Sequence, residues 1–332
     1  MIRSKVLSAA LAALLCATSG ITSAQGANQP RNAGPVAEWP QKPIRIIVSF
    51  TAGGLADIMA RTIGNLMAQS TGQPVVVENK PGANGNLAAD YVAKSPADGY
   101  TMCLCSTVIE SVSPFLYEKM SFDPQKDLAP VTAAGRIRLH LVVRANLPVS
   151  NAKEFVEYAK AQPKPLTFGS VGIGSTPHLL AEMFTGFEAL HVPYKGGPPA
   201  IQDLAAGHLD FFMDGGVSFP FVREGKLRML AVSSAQRSPQ FPHVPTLGEL
   251  GYRDLDFDSW FTIYAPGSTP PSLIQRLNHE LTAALSDEGL RKRFMEIGVE
   301  AQGSSPEQIK AIADRERQAF GRVIKESRIK VD

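Results

Sequence analysis

Hydrophobic positions along the chain switch repeatedly between a strand-like run and a helical period. Ile44, Ile46, Ile47 and Val48 form a short apolar run that ends in the glycine turn Ala52-Gly53-Gly54. Beyond it Met59, Ile63, Leu66 and Met67 recur at helical spacing, which predicts a buried strand feeding an amphipathic helix through a tight turn. The same alternation predicts strands at 74–78, 100–105 and 139–144, a helix at 87–94, and a helix at 152–161 with Phe155, Tyr158 and Ala159 inward. Residues 166–184 repeat the opening design of strand, glycine-rich turn and helix. Strands at 191–194, 209–213, 227–233 and 260–266 follow, with a helix at 200–206, and helices at 271–285 and 306–327 close the chain. Alternating strands and helices joined by short turns predict an α/β protein with mostly parallel sheets.

The two strand–turn–helix units lie more than a hundred residues apart, each inside its own α/β set. This predicts two lobes: residues 39–136 with 266–332, and residues 145–257, joined by crossings at 137–144 and 258–265. Ligands in open α/β sheets sit beyond the carboxyl ends of strands. Two lobes facing one another there form a clamshell around a small molecule.

Each glycine turn opens a helix whose first N–H groups have no intrahelical partner and whose dipole is positive, a setting that receives anions. In Phe50-Thr51-Ala52-Gly53-Gly54 the glycines permit close backbone approach, although a plain strand–helix turn accounts for them equally well. Asp57 falls in the first helical turn, where it either braces the loop or touches the ligand. The second turn, from Ser170 through Gly172, Gly174, Ser175 and Thr176 to His178, carries more donors, and His178 reads as a structural hydrogen-bonder. A third compact turn follows His191 and contains Lys195, Gly196 and Gly197.

Several sharper chemistries fail on spacing. Gly-x-Gly-x-x-Gly is absent from both turns, so no dinucleotide cofactor is expected. Phe168 stands where a nucleophile elbow needs glycine, and no nucleophile–base pair is visible; no catalytic residue is assigned. Asp254, Asp256 and Asp258 imitate a calcium loop but lack its glycine and closing glutamate, and the six histidines form no pair at metal spacing, so no metal site is assigned.

Composition narrows the partners. A net charge of +2 over 332 residues, with both signs mixed, gives no footprint for nucleic acid. Arg3 and Lys5 precede an apolar run at 6–15, and Thr22-Ser23-Ala24 supplies small residues, so a signal peptide cleaved near Ala24 and export to the periplasm are expected. Leu15 stands where lipidation of Cys16 would need a small residue. Residues 25–38 read as a disordered leader, and Cys103 and Cys105 as two buried thiols on one strand face.

From Trp39 to Asp332 the chain resembles the Bug family, the extracytoplasmic solute-binding proteins of tripartite tricarboxylate transporters. The resemblance rests on Trp39-Pro40 and 44–61, VENKPGANG at 77–85, AKSPADGY at 93–100, FDPQKDLAPVT at 122–132, 169–179, HVPYKGGPPAIQDLAAG at 191–207, GKLRMLAVS at 225–233, 245–251, 259–261 and 265–270. It implies a type II periplasmic-binding fold, two lobes with a two-segment hinge and a ligand cleft. It also implies a binder of a small carboxylate, working with integral-membrane transporter subunits; with no nucleophile or metal site visible, a monomeric binder rather than an enzyme is expected. Carried onto this chain, the pincer loops are 50–57 and 170–178. The loop containing Ser106, Thr107 and Glu110 is then expected to face the cleft, with Asp214 on the second lobe; Glu110 either selects an amine-bearing ligand or is a solvated loop glutamate. A periplasmic sensor, or an exported α/β enzyme, are the other readings of the same features.

Overall fold

The computed structural model describes residues 39–331; the expected signal peptide and leader lie outside the described residues. In chain order the elements are β1 (Ile44–Val48), α1 (Leu55–Thr71), β2 (Val75–Asn79), α2 (Asn86–Ala93), β3 (Thr101–Ser106), α3 (Val108–Ser111), α4 (Ser113–Leu116), β4 (Leu128–Arg138) and β5 (His140–Arg144). They continue as α5 (Ala152–Ala161), β6 (Leu166–Ser170), α6 (Thr176–Phe184), β7 (Ala189–Pro193), α7 (Gly197–Ala206), β8 (Phe211–Asp214), α8 (Phe219–Arg223) and β9 (Leu227–Val232). The last are β10 (Asp258–Pro266), α9 (Pro271–Leu285), α10 (Glu288–Glu296), β11 (Val299–Ala301) and α11 (Pro306–Glu326).

Two sheets result, ordered β11-β4-β10-β3-β1-β2 and β7-β6-β8-β5-β9. The chain passes from the first to the second at Leu139, between β4 and β5, and returns between β9 and β10. Each sheet forms the centre of one lobe.

The sheets are mixed, where mostly parallel ones were expected. β1 pairs in parallel with β2 and β3, and β6 with β7 and β8, as the strand–helix–strand alternation requires. The strands nearest the crossings are antiparallel: β10 lies between β3 and β4, and β5 between β8 and β9. A returning chain enters its sheet from the cleft side, and so runs against the strands that end there. β4 was missed because Pro130, Thr132 and Gly135 interrupt its apolar pattern, although Val131, Ala133, Ala134 and Ile137 are all buried. α10 and β11 were missed too; α10 buries only Leu290 and Phe294 among charged residues.

Local chemistry fixes the helix that opens the first lobe. α1 starts after Gly54 in an extended conformation and stops at Gly72, whose φ of 70° turns the chain in the left-handed region. Met59, Ile63 and Met67 are fully buried on its inner face, each contributing about 1.5–3 kcal/mol by removal from water. Gly64 lets the helix lie close on β2, where a Cβ would come 3.0 Å from Val75 Cγ1. Cys103 and Cys105, expected as free thiols, share one face of β3 with Cα atoms 5.7 Å apart and are joined as a disulfide.

α11 begins with a capping box between Ser305 and Gln308 and crosses the first lobe. It carries Glu316 into the interior, where the carboxylate accepts hydrogen bonds from Thr107 Oγ1 and Ser111 Oγ, both at 2.9 Å. Burial pushes the Glu316 carboxyl up to about 7, against those two hydroxyls and assisted by Glu110. Between its ordinary value of 4.5 and 7 the folded chain holds a proton that the unfolded chain has released. Stability therefore falls as pH rises through that window and stays lower above it. Glu316→Gln, which keeps the shape of the neutral acid, is expected to flatten the decline in melting temperature from pH 5 to 8. At pH 8 the variant should melt a few degrees above the parent; an unchanged slope would remove Glu316 as its source.

Candidate functional site

The carboxyl ends of β1, β2 and β3 face those of β6, β7 and β8 across a cleft. Three helices begin at its wall, α1, α6 and α7, and none has a side-chain cap on its first turn. Their N-caps are Gly54, Ser175 and Gly196. Capping side chains normally occupy these N–H groups. Here the amides and the positive dipole ends are left to face the cleft.

The α1 loop is held from behind. Asp57 Oδ2 accepts the Gly53 N–H at 3.0 Å, and Arg61 Nη2 lies 2.9 Å from Asp57 Oδ1. Burial opposes the Asp57 charge, but Arg61 and the Gly53 amide hold its carboxyl below the ordinary value. Asp57 thus braces the turn. Asn79 Nδ2 donates to the Phe50 carbonyl and fixes the strand end.

The α6 loop is tied to itself. Ser170 Oγ accepts the Gly172 N–H at 3.1 Å and lies 2.7 Å from His191 Nε2. Ser175 Oγ donates to the Gly172 carbonyl at 2.7 Å, and His178 Nδ1 accepts the Gly174 N–H at 3.0 Å. Accepting that bond places the His178 proton on Nε2. The His178 and His191 rings stack with centroids 3.7 Å apart; burial and the neighbouring His178 push His191 down to about 3. Its imidazole is a neutral part of the scaffold. Gly172 and Gly174, with φ of 140° and 79°, take conformations that favour glycine. The α7 turn is anchored by Tyr194 Oη, which donates to Asp203 Oδ2 at 2.6 Å.

Against this bracing, two groups at the cleft have no partner. Thr176 Oγ1 is buried and unbonded, and so are both amide atoms of Asn84, which reaches in from the turn after β2. Among the described residues the lining includes no lysine, arginine or histidine. An anion held here is held by amides, hydroxyls and helix dipoles.

Sheet order gives the cleft an axis. At its outer end stand Thr51 and Gly54 after β1, Asn84 after β2, Thr176 after β6 and Gly196 after β7. At the end beside the crossings stand Ile137 of β4, Leu139, Phe212 of β8 and Phe261 of β10, with Ser259 and Asp214. Asp214 is buried; its Oδ2 accepts the N–H groups of Gly216 and Ser218, each at 2.8 Å, and Ser218 Oγ at 2.6 Å. Burial pushes its carboxyl above the ordinary value, against those donors.

The lobes meet around the ligand space. A Cβ on Gly196 would lie 2.8 Å from Thr51 Oγ1, and one on Gly172 3.8 Å from Asn84 Oδ1. A Cβ on Gly174 would overlap Leu116 of α4. The structure is a closed clamshell.

Of the residues expected at the site, Phe50, Thr51, Gly54, Ser106, Ser175, Thr176 and Asp214 line the cleft. Asp57, Ser170, Gly172, Gly174 and His178 shape its loops from behind, and Ala52 and Gly53 form an exposed turn tip. Thr107 and Glu110 do not reach it: α3 turns both inward, Thr107 to Glu316 and Glu110 beneath β10 and α11. Burial pushes the Glu110 carboxyl up to about 7, against the Tyr264 hydroxyl and Arg317. Glu110 therefore makes no contact through which to select an amine. Lys195 is exposed, while the neighbouring Gly196 and Gly197 line the wall. Asn84 was missed; its signal was the glycine-flanked turn GANG, where it takes a φ of 50°. The apolar end was missed because its residues come from four separate strands or crossings.

A family model for the "Tripartite tricarboxylate transporter family receptor" matches residues 59–329. Protein BugT of Bordetella pertussis is 34% identical over 97% of this chain and 98% of its own. Rpa4515 of R. palustris, solved with adipate, superposes with a TM-score of 0.83 at 36% identity, covering 88% of this chain and all of that one. MatC of Rhodopseudomonas palustris, solved with malate, gives 0.78 at 28% identity over 85% of this chain and all of its own. On the matched model and this relative, the chain belongs to the Bug family of tripartite tricarboxylate transporter receptors.

Proposed function

We propose that this chain is an exported periplasmic binding protein that captures a small organic carboxylate in its cleft and delivers it to the membrane subunits of a tripartite transporter. The observation that carries the reading is the convergence of three uncapped helix N-termini on one space, with Thr176 Oγ1 and the Asn84 amide unpartnered beside them. Hydrogen bonds to a charged group contribute about 1.5–3 kcal/mol each. Four to six such donors support micromolar binding, roughly 8 kcal/mol, after ordering costs. The dipoles alone, about 0.3–1 kcal/mol apiece, do not. Adipate in Rpa4515 and malate in MatC are carboxylates bound by relatives of the same fold.

The chain acts as a binder and not as an enzyme in this reading. His178 accepts a loop amide, Asp57 pairs with Arg61, and Asp214 Oδ2 accepts three hydrogen bonds from its own loop. Binding and closure are one event, because the donors belong to both lobes. The closed form is then the state a membrane partner recognises.

Two measurements test this. In a thermal-shift screen of mono-, di- and tricarboxylates, aromatic acids and amino acids, at least one acid should raise the melting temperature in a concentration-dependent way. Uncharged analogues of that acid should not; a shift by the amide as large as by the acid would defeat the carboxylate reading. Gly174→Ala tests closure separately. Its methyl overlaps Leu116 only when the lobes meet, so affinity should fall at least tenfold while the unliganded protein loses only the roughly 1–2 kcal/mol of a left-handed alanine. Unaltered affinity would mean that the ligand is held without closure. Gly54→Val, which places a branched side chain where α1 presents its amides, should abolish binding and leave the fold intact.

A further inference from the structure

The two ends of the cleft differ in chemistry. The unpartnered donors and uncapped amides lie on the turns after β1, β2, β6 and β7. The end beside the crossings is walled by Ile137, Leu139, Phe212 and Phe261. The ionisable group at that end is Asp214.

The state of Asp214 follows from its partners. Two N–H groups and the Ser218 hydroxyl converge on Oδ2, so that oxygen acts only as an acceptor. A carboxylate approaching this end would meet aliphatic and aromatic carbon, the hydroxyls of Ser106 and Ser259 and a buried acidic oxygen, and among the described residues the lining has no lysine, arginine or histidine to offset its charge. An unpaired charge buried in such surroundings is strongly disfavoured. Hydrocarbon there is favoured. An ammonium loses its water against the apolar wall, and Oδ2 of Asp214 is already taken by three donors.

We infer that the ligand is a monocarboxylic acid with an apolar body, seated with its carboxylate among the helix N-termini and its hydrocarbon against Ile137, Leu139, Phe212 and Phe261, and that Asp214 excludes a second carboxylate from the far end. The inference rests on the carboxylate reading and narrows it.

Three acids of one chain length isolate the point: hexanoate ends in a methyl, adipate in a second carboxylate and 6-aminohexanoate in an ammonium. 3-Phenylpropanoate adds an aromatic body. Calorimetric titration of the purified protein should show hexanoate or 3-phenylpropanoate binding at least tenfold more tightly than adipate and than 6-aminohexanoate. Adipate binding as tightly or more tightly overturns the inference while leaving the carboxylate reading in place. 6-Aminohexanoate binding most tightly overturns it by giving Asp214 an ammonium partner. Failure of all four, together with failure of every acid in the thermal-shift screen, overturns both. In Asp214→Asn the preference over adipate should narrow at least fivefold; an unchanged ratio in a folded variant removes Asp214 from the selection. Should the variant not fold, the order of the acids on the parent protein decides the matter by itself.

Discussion

A carboxylate held without a cationic side chain must find its compensation in the backbone, and this constraint organises the rest of the molecule. Helix N-termini leave peptide N–H groups free to face a ligand. Ser, Thr, Asp or Asn side chains usually take them first. Here two of the three N-caps are glycine, and Ser175 turns its hydroxyl back to the Gly172 carbonyl. The amides are thereby kept clear. Such bare termini cost stability in the unliganded protein, and the bracing by Asp57, Ser170 and His178 offsets that cost from behind the loops. The loops arrive preorganised, so ligand energy is not consumed in ordering them.

Topology then decides what the ligand meets along its length. Parallel strands bring their carboxyl ends, and therefore helix starts, to the outer part of the cleft in both lobes. Antiparallel β10 and β5 contribute no helix start at the crossings. They can offer only side chains, and those present are mostly apolar. The strands at the crossings thus add side chains, and no helix start, to the cleft wall.

This division also explains which parts of the site were legible in the sequence. Phe50, Thr51, Gly54, Ser175 and Thr176 lie within short stretches whose strand, turn and helix signals are contiguous, so spacing alone placed them. Strand and helix periods likewise located most of the elements. Ile137, Leu139, Phe212 and Phe261 meet only after β4, β5, β8 and β10 have paired, and no local pattern encodes those pairings. Glu110 was misplaced because a four-residue helix sets its direction. A shift of one residue along α3, about 100° around its axis, is enough to turn a side chain from cleft to interior, and the glutamate went to the interior beside another buried carboxylate, Glu316. Asp57 was read as either brace or ligand contact, and its bonds to Gly53 and Arg61 occupy it as a brace.

Closure follows from the same economy of side chains at the loop tips. Gly174 and Gly196 allow the second lobe to approach Leu116 and Thr51 of the first at distances that a Cβ would obstruct. A glycine at such a tip performs two tasks: it leaves an amide exposed, and it lets the opposite lobe come near enough for donors from both sides to reach one carboxylate. Larger residues would preserve each lobe separately but hold them apart. The unpartnered atoms of Asn84 and Thr176 belong to opposite lobes and lie buried at the same cleft. Left dry and empty, they penalise the closed state. Filled by a carboxylate, they reward it. The equilibrium between open and closed is therefore biased by the difference in hydrogen bonding at a few loop atoms, which is the differential affinity that a ligand-driven closure requires.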